Sequence, residues 1–315
     1  MNLNRRQFIQ AATGLAACVC AAETSEVQPV EIIDTHTHFY DPMRSQGVPW
    51  PPKDDALLYR TVLPKDYRAL PVPQPVKGTV VVEASHWIED NQWILDLAAQ
   101  DPFIMGLVGN LPIGTPEFGA LLTRFAAQPL FRGVRIREGS FEKLLSEPAF
   151  VKDLHAVSDH GLCFEVHSPR EWVGQAVRLA RRVPSLRLII NHVANAQVTG
   201  KKPADDWCRM IDGLSEHPQV FMKVSGLVEG TDRRNGDAPE EIEFYRPVLD
   251  KLWKAFGPDR LLYGSNWPVS ERFAPLGRVE RIALRYFSEK GQATIDKVFS
   301  KNARVAYGLH PGKQK

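Results

Sequence analysis

From residue 31 onward the chain repeats one pattern: a short apolar, β-branched run, a loop, and a longer stretch whose apolar residues recur every third or fourth position. Eight such runs can be read: EIIDTHTHF (31–39), GTVVVEAS (78–85), FIMGLVGNL (103–111), FRGVRIRE (131–138), LCFEVHS (162–168), LRLIINHV (186–193), QVFMKVSGL (219–227) and RLLYGSNW (260–267). Between them, segments such as EDNQWILDLAAQ, PREWVGQAVRLARRV and YRPVLDKLWKAFG carry the period of amphipathic helices. Strands apolar on both faces that alternate with helices build a parallel sheet, and eight such units predict a closed (β/α)8 TIM barrel in one domain. An open doubly wound sheet would want a Gly-rich phosphate loop after its first strand, and THTHFYDP is not one.

Two connections are longer than usual. One runs from Tyr40 to Lys77, is rich in Pro and carries Trp50, Tyr59 and Tyr67; the other runs from Gly226 to Glu241 and carries Arg233 and Arg234. Each follows a strand, the first and the seventh, so both are expected at the C-terminal mouth of the barrel as lids or binding loops.

At 315 residues the chain is long enough for one barrel or for two ordinary domains, so length alone leaves the choice to the pattern. A hydrophobic fraction of 43% and a formal net charge of +2 give no electrostatic case for nucleic acid, and a small-molecule substrate is expected. The first 22 residues differ from the rest: NRRQFIQ sets paired arginines before AATGLAACVCAA, the pattern of a twin-arginine export signal. The expected location is therefore the periplasm, with the barrel domain occupying residues 23–315. Within the leader, Leu15-Ala16-Ala17-Cys18 also resembles a lipobox, which would make Cys18 a lipid-anchored first residue; the rival is cleavage after Ala22. No later run approaches the ~20 apolar residues that a transmembrane helix needs. Cys163 and Cys208 remain in the body and offer neither a disulfide framework nor a metal motif.

Polar residues cluster where the strands end. Asp34, His36 and His38 alternate on the first strand, which predicts one shared face. His167 ends the fifth strand and His192 ends the sixth, so four of the nine histidines fall at strand ends of the expected mouth. Converging imidazoles suit a borderline metal such as Zn2+, and without a metal they can still act as acid, base and oxyanion donor. Arg135 and Arg137 alternate in GVRIR and need an anionic or carbonyl partner, which a substrate can supply. His86 follows the second strand and Trp267 ends the eighth run, and both are further candidates for substrate contact. Glu83 and Glu165 are strand carboxylates, each open to work as a base or to structural ion pairing.

With these residues in place the chain resembles the amidohydrolase superfamily, in the branch that holds sugar lactonases and pyrone-dicarboxylate lactonases. The resemblance rests on DTHTHFYDP, GVRIRE, NHVAN, MKVSGL and LLYGSNWPV in that order and runs from about Ile32 to Leu309. It implies one divalent metal, zinc foremost, on His36, His38, His167 and His192, or metal-free binding of substrate by the same residues. It also implies that the last-strand acid is the base towards the attacking water; in such a reaction Arg135 is expected to hold the oxyanion, and His192, Glu83 or His86 to serve as base where that acid is missing. That acid's position is Asn266, and an amide cannot take a proton near neutral pH. The fourth strand ends without a lysine to bridge two metals, which argues against a binuclear centre. The implied activity is opening of a cyclic ester such as a sugar lactone. Two alternatives are non-oxidative decarboxylation and non-catalytic carbohydrate binding.

Overall fold

The structure is a computed structural model that describes residues 30–136, 141–167 and 170–309. The expected export signal with Cys18, and the candidate Arg137, lie outside the described residues. All eight apolar runs are strands: β1 (Ile32–Thr37), β2 (Val76–Val82), β3 (Ile104–Gly109), β4 (Phe131–Arg135), β5 (Cys163–Val166), β6 (Arg187–Ile190), β7 (Val220–Val224) and β8 (Leu261–Tyr263). Every neighbouring pair is parallel and the spatial order follows the sequence order. The cylinder closes between its ends: Thr37 bridges Trp267, His38 N donates to Trp267 O (2.9 Å) and Asn266 N donates to His36 O (2.8 Å). Among the described residues no helix is long and apolar enough to cross a membrane.

Alternation along the strands sorts the core into two parts. Ile32, Val81, Leu107, Val134, Phe164, Leu188, Met222 and Leu261 pack outward against the helices. Ile33, Val80, Val108, Cys163, Ile189, Phe221 and Leu262 fill the barrel's interior together with Ala303, Ala306 and Tyr307 of the helix Asn302–Tyr307. That helix is the floor, and Asn302 Nδ2 ties it to Leu261 O at the start of β8 (2.8 Å).

The strands stop short of the expected runs. Glu83, His167, His192, Ser225 and Asn266 all lie one to three residues beyond a strand end, where the backbone leaves the ladder and turns. Both expected long connections are present, the first holding only the short helix Pro64–Arg68. A third, between β6 and the helix Asp205–Ser215, was not legible as a long loop, and it begins with a left-handed turn at the site.

Candidate active site

The four strand-end histidines come together. Ring centroids are 5.0 Å apart for His36 and His38, 4.5 Å for His36 and His192, and 5.3 Å for His167 and His192. Burial first, then the positive charge of Lys223 and the neighbouring imidazoles, holds His36 well below the ordinary imidazole range; burial, His167 and Arg135 do the same for His192. Both rings are therefore neutral at pH 7. His38 Nδ1 donates to Val82 O (2.9 Å), and its Nε2 lies 3.2 Å from Asn266 Oδ1. From the first long loop Trp50 packs edge-on against His38, with centroids 5.8 Å apart, so this loop does reach the histidines.

The expectation that Asp34 shares their face does not hold. Pairing of β1 with β2 loses register between Asp34 and Thr37, which breaks the two-residue alternation. Asp34 turns to the barrel seam instead, where its carboxylate accepts from Ser265 N (2.9 Å), His36 N (3.0 Å) and Tyr67 OH (2.8 Å).

Beneath the histidines lies a buried polar layer. Lys223 on β7 and Glu165 on β5 are both fully buried and pair at 2.8 Å. Lys223 Nζ also donates to Thr35 O (2.8 Å) and lies 3.3 Å from His36 Nδ1. Glu165 further accepts from Asn191 Nδ2 (2.9 Å) and Tyr307 OH (2.6 Å). The carboxylate is thus the ion-pair member that one of its two sequence readings allowed. Lys223 was missed, although a lysine inside the apolar run VFMKV was a readable signal of a buried partner.

Arg135, at the end of β4, is 3% exposed and holds Glu83 through Nε to Oε1 (2.8 Å) and through Nη2 to the Glu83 carbonyl (2.7 Å). The two site candidates are therefore one unit, with the guanidinium oriented by the carboxylate. A pocket lined by Tyr40, Trp50, Glu83, Ser85 and Trp93 opens beside them. His86 is not brought into the cluster: it is exposed and its ring contacts Trp87. Trp267 is 1% exposed, packs edge-on against Phe39 and Tyr67, and donates its indole N–H to Glu271 (2.7 Å). It holds the seam behind the site instead of offering a face to substrate.

Backbone strain concentrates here. His192, Val193, Ala194 and Asn195 all have φ between 45° and 53°, a left-handed turn of non-glycine residues that costs roughly 1–2 kcal/mol per residue. Asn266 is left-handed too, at φ 59°. Gly226, at φ +66°, makes room for the turn, because a Cβ there would stand 2.7 Å from the Cβ of His192. Asn266 Nδ2 donates to Glu229 Oε1 (2.8 Å). Glu229 lies in the second long loop and was not a candidate from sequence; nothing in LVEG distinguishes it from a surface acid.

The donor set fits a divalent ion. His36 Nε2 is buried with no hydrogen-bond partner, the kind of atom that a metal satisfies, and neutral imidazoles are borderline ligands. Yet among the described residues no three His, Cys, Asp or Glu side chains are already drawn up around one metal-sized point, so binding would require the rings to close in. The tautomer of His36 matters as well. Nε2 offers a lone pair only if Nδ1, which faces Lys223, carries the proton; where Lys223 donates there, Nε2 offers an N–H.

Imidazoles and a clamped arginine meet at the C-terminal mouth of a (β/α)8 barrel, the place where barrel enzymes keep their chemistry. The chain belongs to the amidohydrolase family, whose model matches residues 33–309, and within it to the lactonase-like amidohydrolase-2 branch. An L-fucono-1,5-lactonase of Burkholderia ambifaria is 30% identical over 240 residues, covering 76% of this chain and 80% of that one. An amidohydrolase of Burkholderia multivorans, solved with bound zinc, superposes with a TM-score of 0.79 at 22% identity, covering 89% of this chain and 100% of the other. The 5-carboxyvanillate decarboxylase of Sphingomonas paucimobilis superposes less well, with a TM-score of 0.61 at 14% identity and coverage of 89% and 100%. At such identities the two structural likenesses are of fold alone.

Proposed function

We propose that this protein hydrolyses a cyclic ester, a sugar lactone, to the open hydroxy acid. The observation that carries the reading is the meeting of four imidazoles with the Glu83-clamped Arg135 beneath an aromatic loop. The sugar-lactone relative supports the substrate class. In this reading Arg135 and the inward atom of His36 face the ester carbonyl and stabilise the oxyanion as water attacks. Neutral His192, fixed by the left-handed turn and by Ser225 Oγ 3.1 Å from its Nδ1, orients the ring oxygen as its bond to the carbonyl carbon breaks. Trp50 excludes bulk water from the mouth. Glu83 is committed to Arg135 and His86 stands outside the cluster, so neither serves as base. If the His36 proton sits on Nδ1 instead, its Nε2 lone pair together with His38, His167 and His192 would hold one divalent ion, which in place of that His36 contact would supply Lewis acidity and lower the pKa of a bound water.

The test is acid release from a panel of aldonolactones by the purified protein, corrected for spontaneous opening, before and after chelation. Release is expected, and Arg135→Ala and His36→Ala are each expected to lower kcat/KM by about 10²- to 10³-fold. Loss on chelation and recovery with zinc would assign the histidines as ligands, whereas indifference to chelation would assign them to direct substrate contact. No release from any lactone would overturn the reading, and carbon dioxide from an aromatic carboxylate would replace it with decarboxylation.

A further inference from the structure

The reading above leaves the proton of the attacking water without an acceptor, because Asn266 is an amide. One carboxylate at the mouth keeps an oxygen that no structural partner accounts for. Glu229 begins a short 3₁₀ turn, Glu229–Thr231, in the loop after β7. The turn is held on both sides: Gly230 N donates to Gly226 O (3.0 Å) and Val198 N donates to Gly230 O (2.8 Å). Gly230 packs so closely on the β6 loop that a Cβ there would stand 2.6 Å from Ala196 O. The Glu229 carboxyl is fixed in turn, since Oε1 accepts from Asn266 Nδ2, two contacts away from His38. Its other oxygen, Oε2, is buried without a hydrogen-bond partner. An ionised oxygen in that position wants a donor, and none reaches it among the described residues.

Resting on the lactonase reading, we propose that Glu229 is the general base of this enzyme and that Asn266 is its positioning residue. Glu229 Oε2 takes a proton from water, the water oxygen bonds to the carbonyl carbon, and the carbonyl electron pair moves onto its oxygen beside Arg135. When the intermediate collapses, the bond from carbonyl carbon to ring oxygen breaks and the proton on Glu229 passes to that ring oxygen. The product is the hydroxy acid, and Glu229 is again a carboxylate. Burial lifts this carboxyl to about 7, which suits a group that must both take and return a proton near neutrality. No charged neighbour contributes to that lift. Facing it are Asn266 from the turn after β8 and, from the helix Ile242–Phe256, Tyr245, itself pushed up by burial first and by Glu229 in smaller part.

The test compares pH profiles of lactone opening for wild type, Glu229→Gln and Glu229→Ala, with folding checked by circular dichroism. Wild-type kcat/KM is expected to fall as pH drops through about 7, as the base becomes protonated. Glu229→Gln is expected to lower kcat by about 10²- to 10⁴-fold with little change in KM and to remove that limb. Formate added to Glu229→Ala is expected to restore part of the rate, which a merely structural role would not do. Wild-type rate and limb in a folded Glu229→Gln, or no formate rescue of Glu229→Ala, would overturn the assignment of Glu229 alone. A wild type inert towards every lactone would overturn the lactonase reading with it.

Discussion

Glu280 shows how a single buried acid makes the whole fold sensitive to pH. It is 0% exposed on the helix Leu276–Ser288, its Oε1 accepts from Gln74 N (2.7 Å), and its Oε2 has no partner. Burial pushes its carboxyl up to about 7. A pKa raised on folding stabilises fully below the unfolded value and loses that contribution as pH rises through the folded one. Wild type should therefore lose up to about 3 kcal/mol from this group between pH 4.5 and 8.5. Glu280→Gln should match wild type near pH 4.5 and exceed it near pH 8.5 in urea-unfolding midpoint. Equal midpoints at both pH values would show that Glu280 ionises without penalty.

At the scale of elements, β5 and β7 are joined through the interior by an ion pair under the histidine cluster. Neither Lys223 nor Glu165 has access to water, and each is compensated by the other and by Thr35, Asn191 and Tyr307. Removing one partner from such a pair is costly because it strands the other charge. Lys223→Met is expected to destabilise by about 3–5 kcal/mol, and Lys223→Met with Glu165→Leu by less than Lys223→Met alone. Chemical denaturation of wild type, Lys223→Met, Glu165→Leu and the double variant decides it: a double variant as unstable as the sum of its parts would mean that the two strands are not coupled here.

For the whole molecule, closure depends on parts that are remote in sequence. The seam joins residues near 37 to residues near 266, and the floor is the C-terminal helix Asn302–Tyr307, which also supplies a hydrogen bond to Glu165. Tyr307 is 1% exposed, so Tyr307→Ala both opens a cavity and leaves Glu165 short of a donor. An expected loss of about 3–5 kcal/mol should appear in thermal or urea unfolding. A loss below 1 kcal/mol would show that the barrel stands without its floor.

Strand number, parallel order and the mouth as the place of the polar residues were legible because each depends on local composition: apolar runs, helical periodicity and histidines at run ends. The amide at position 266 was equally plain. Periodicity failed where the backbone departs from regular geometry. The irregular register of β1 sends Asp34 to the seam, and the left-handed turn at 192–195 sets the direction of His192. Partnership was hidden as well, since Arg135 with Glu83 and Lys223 with Glu165 are 52 and 58 residues apart. Sequence by itself determined the barrel and the placing of four histidines and Arg135 at its strand ends. Only the tertiary structure decided which charges neutralise one another and that Glu229 and Glu280 each keep a buried oxygen without a partner among the described residues, because burial and pairing are properties of positions in space.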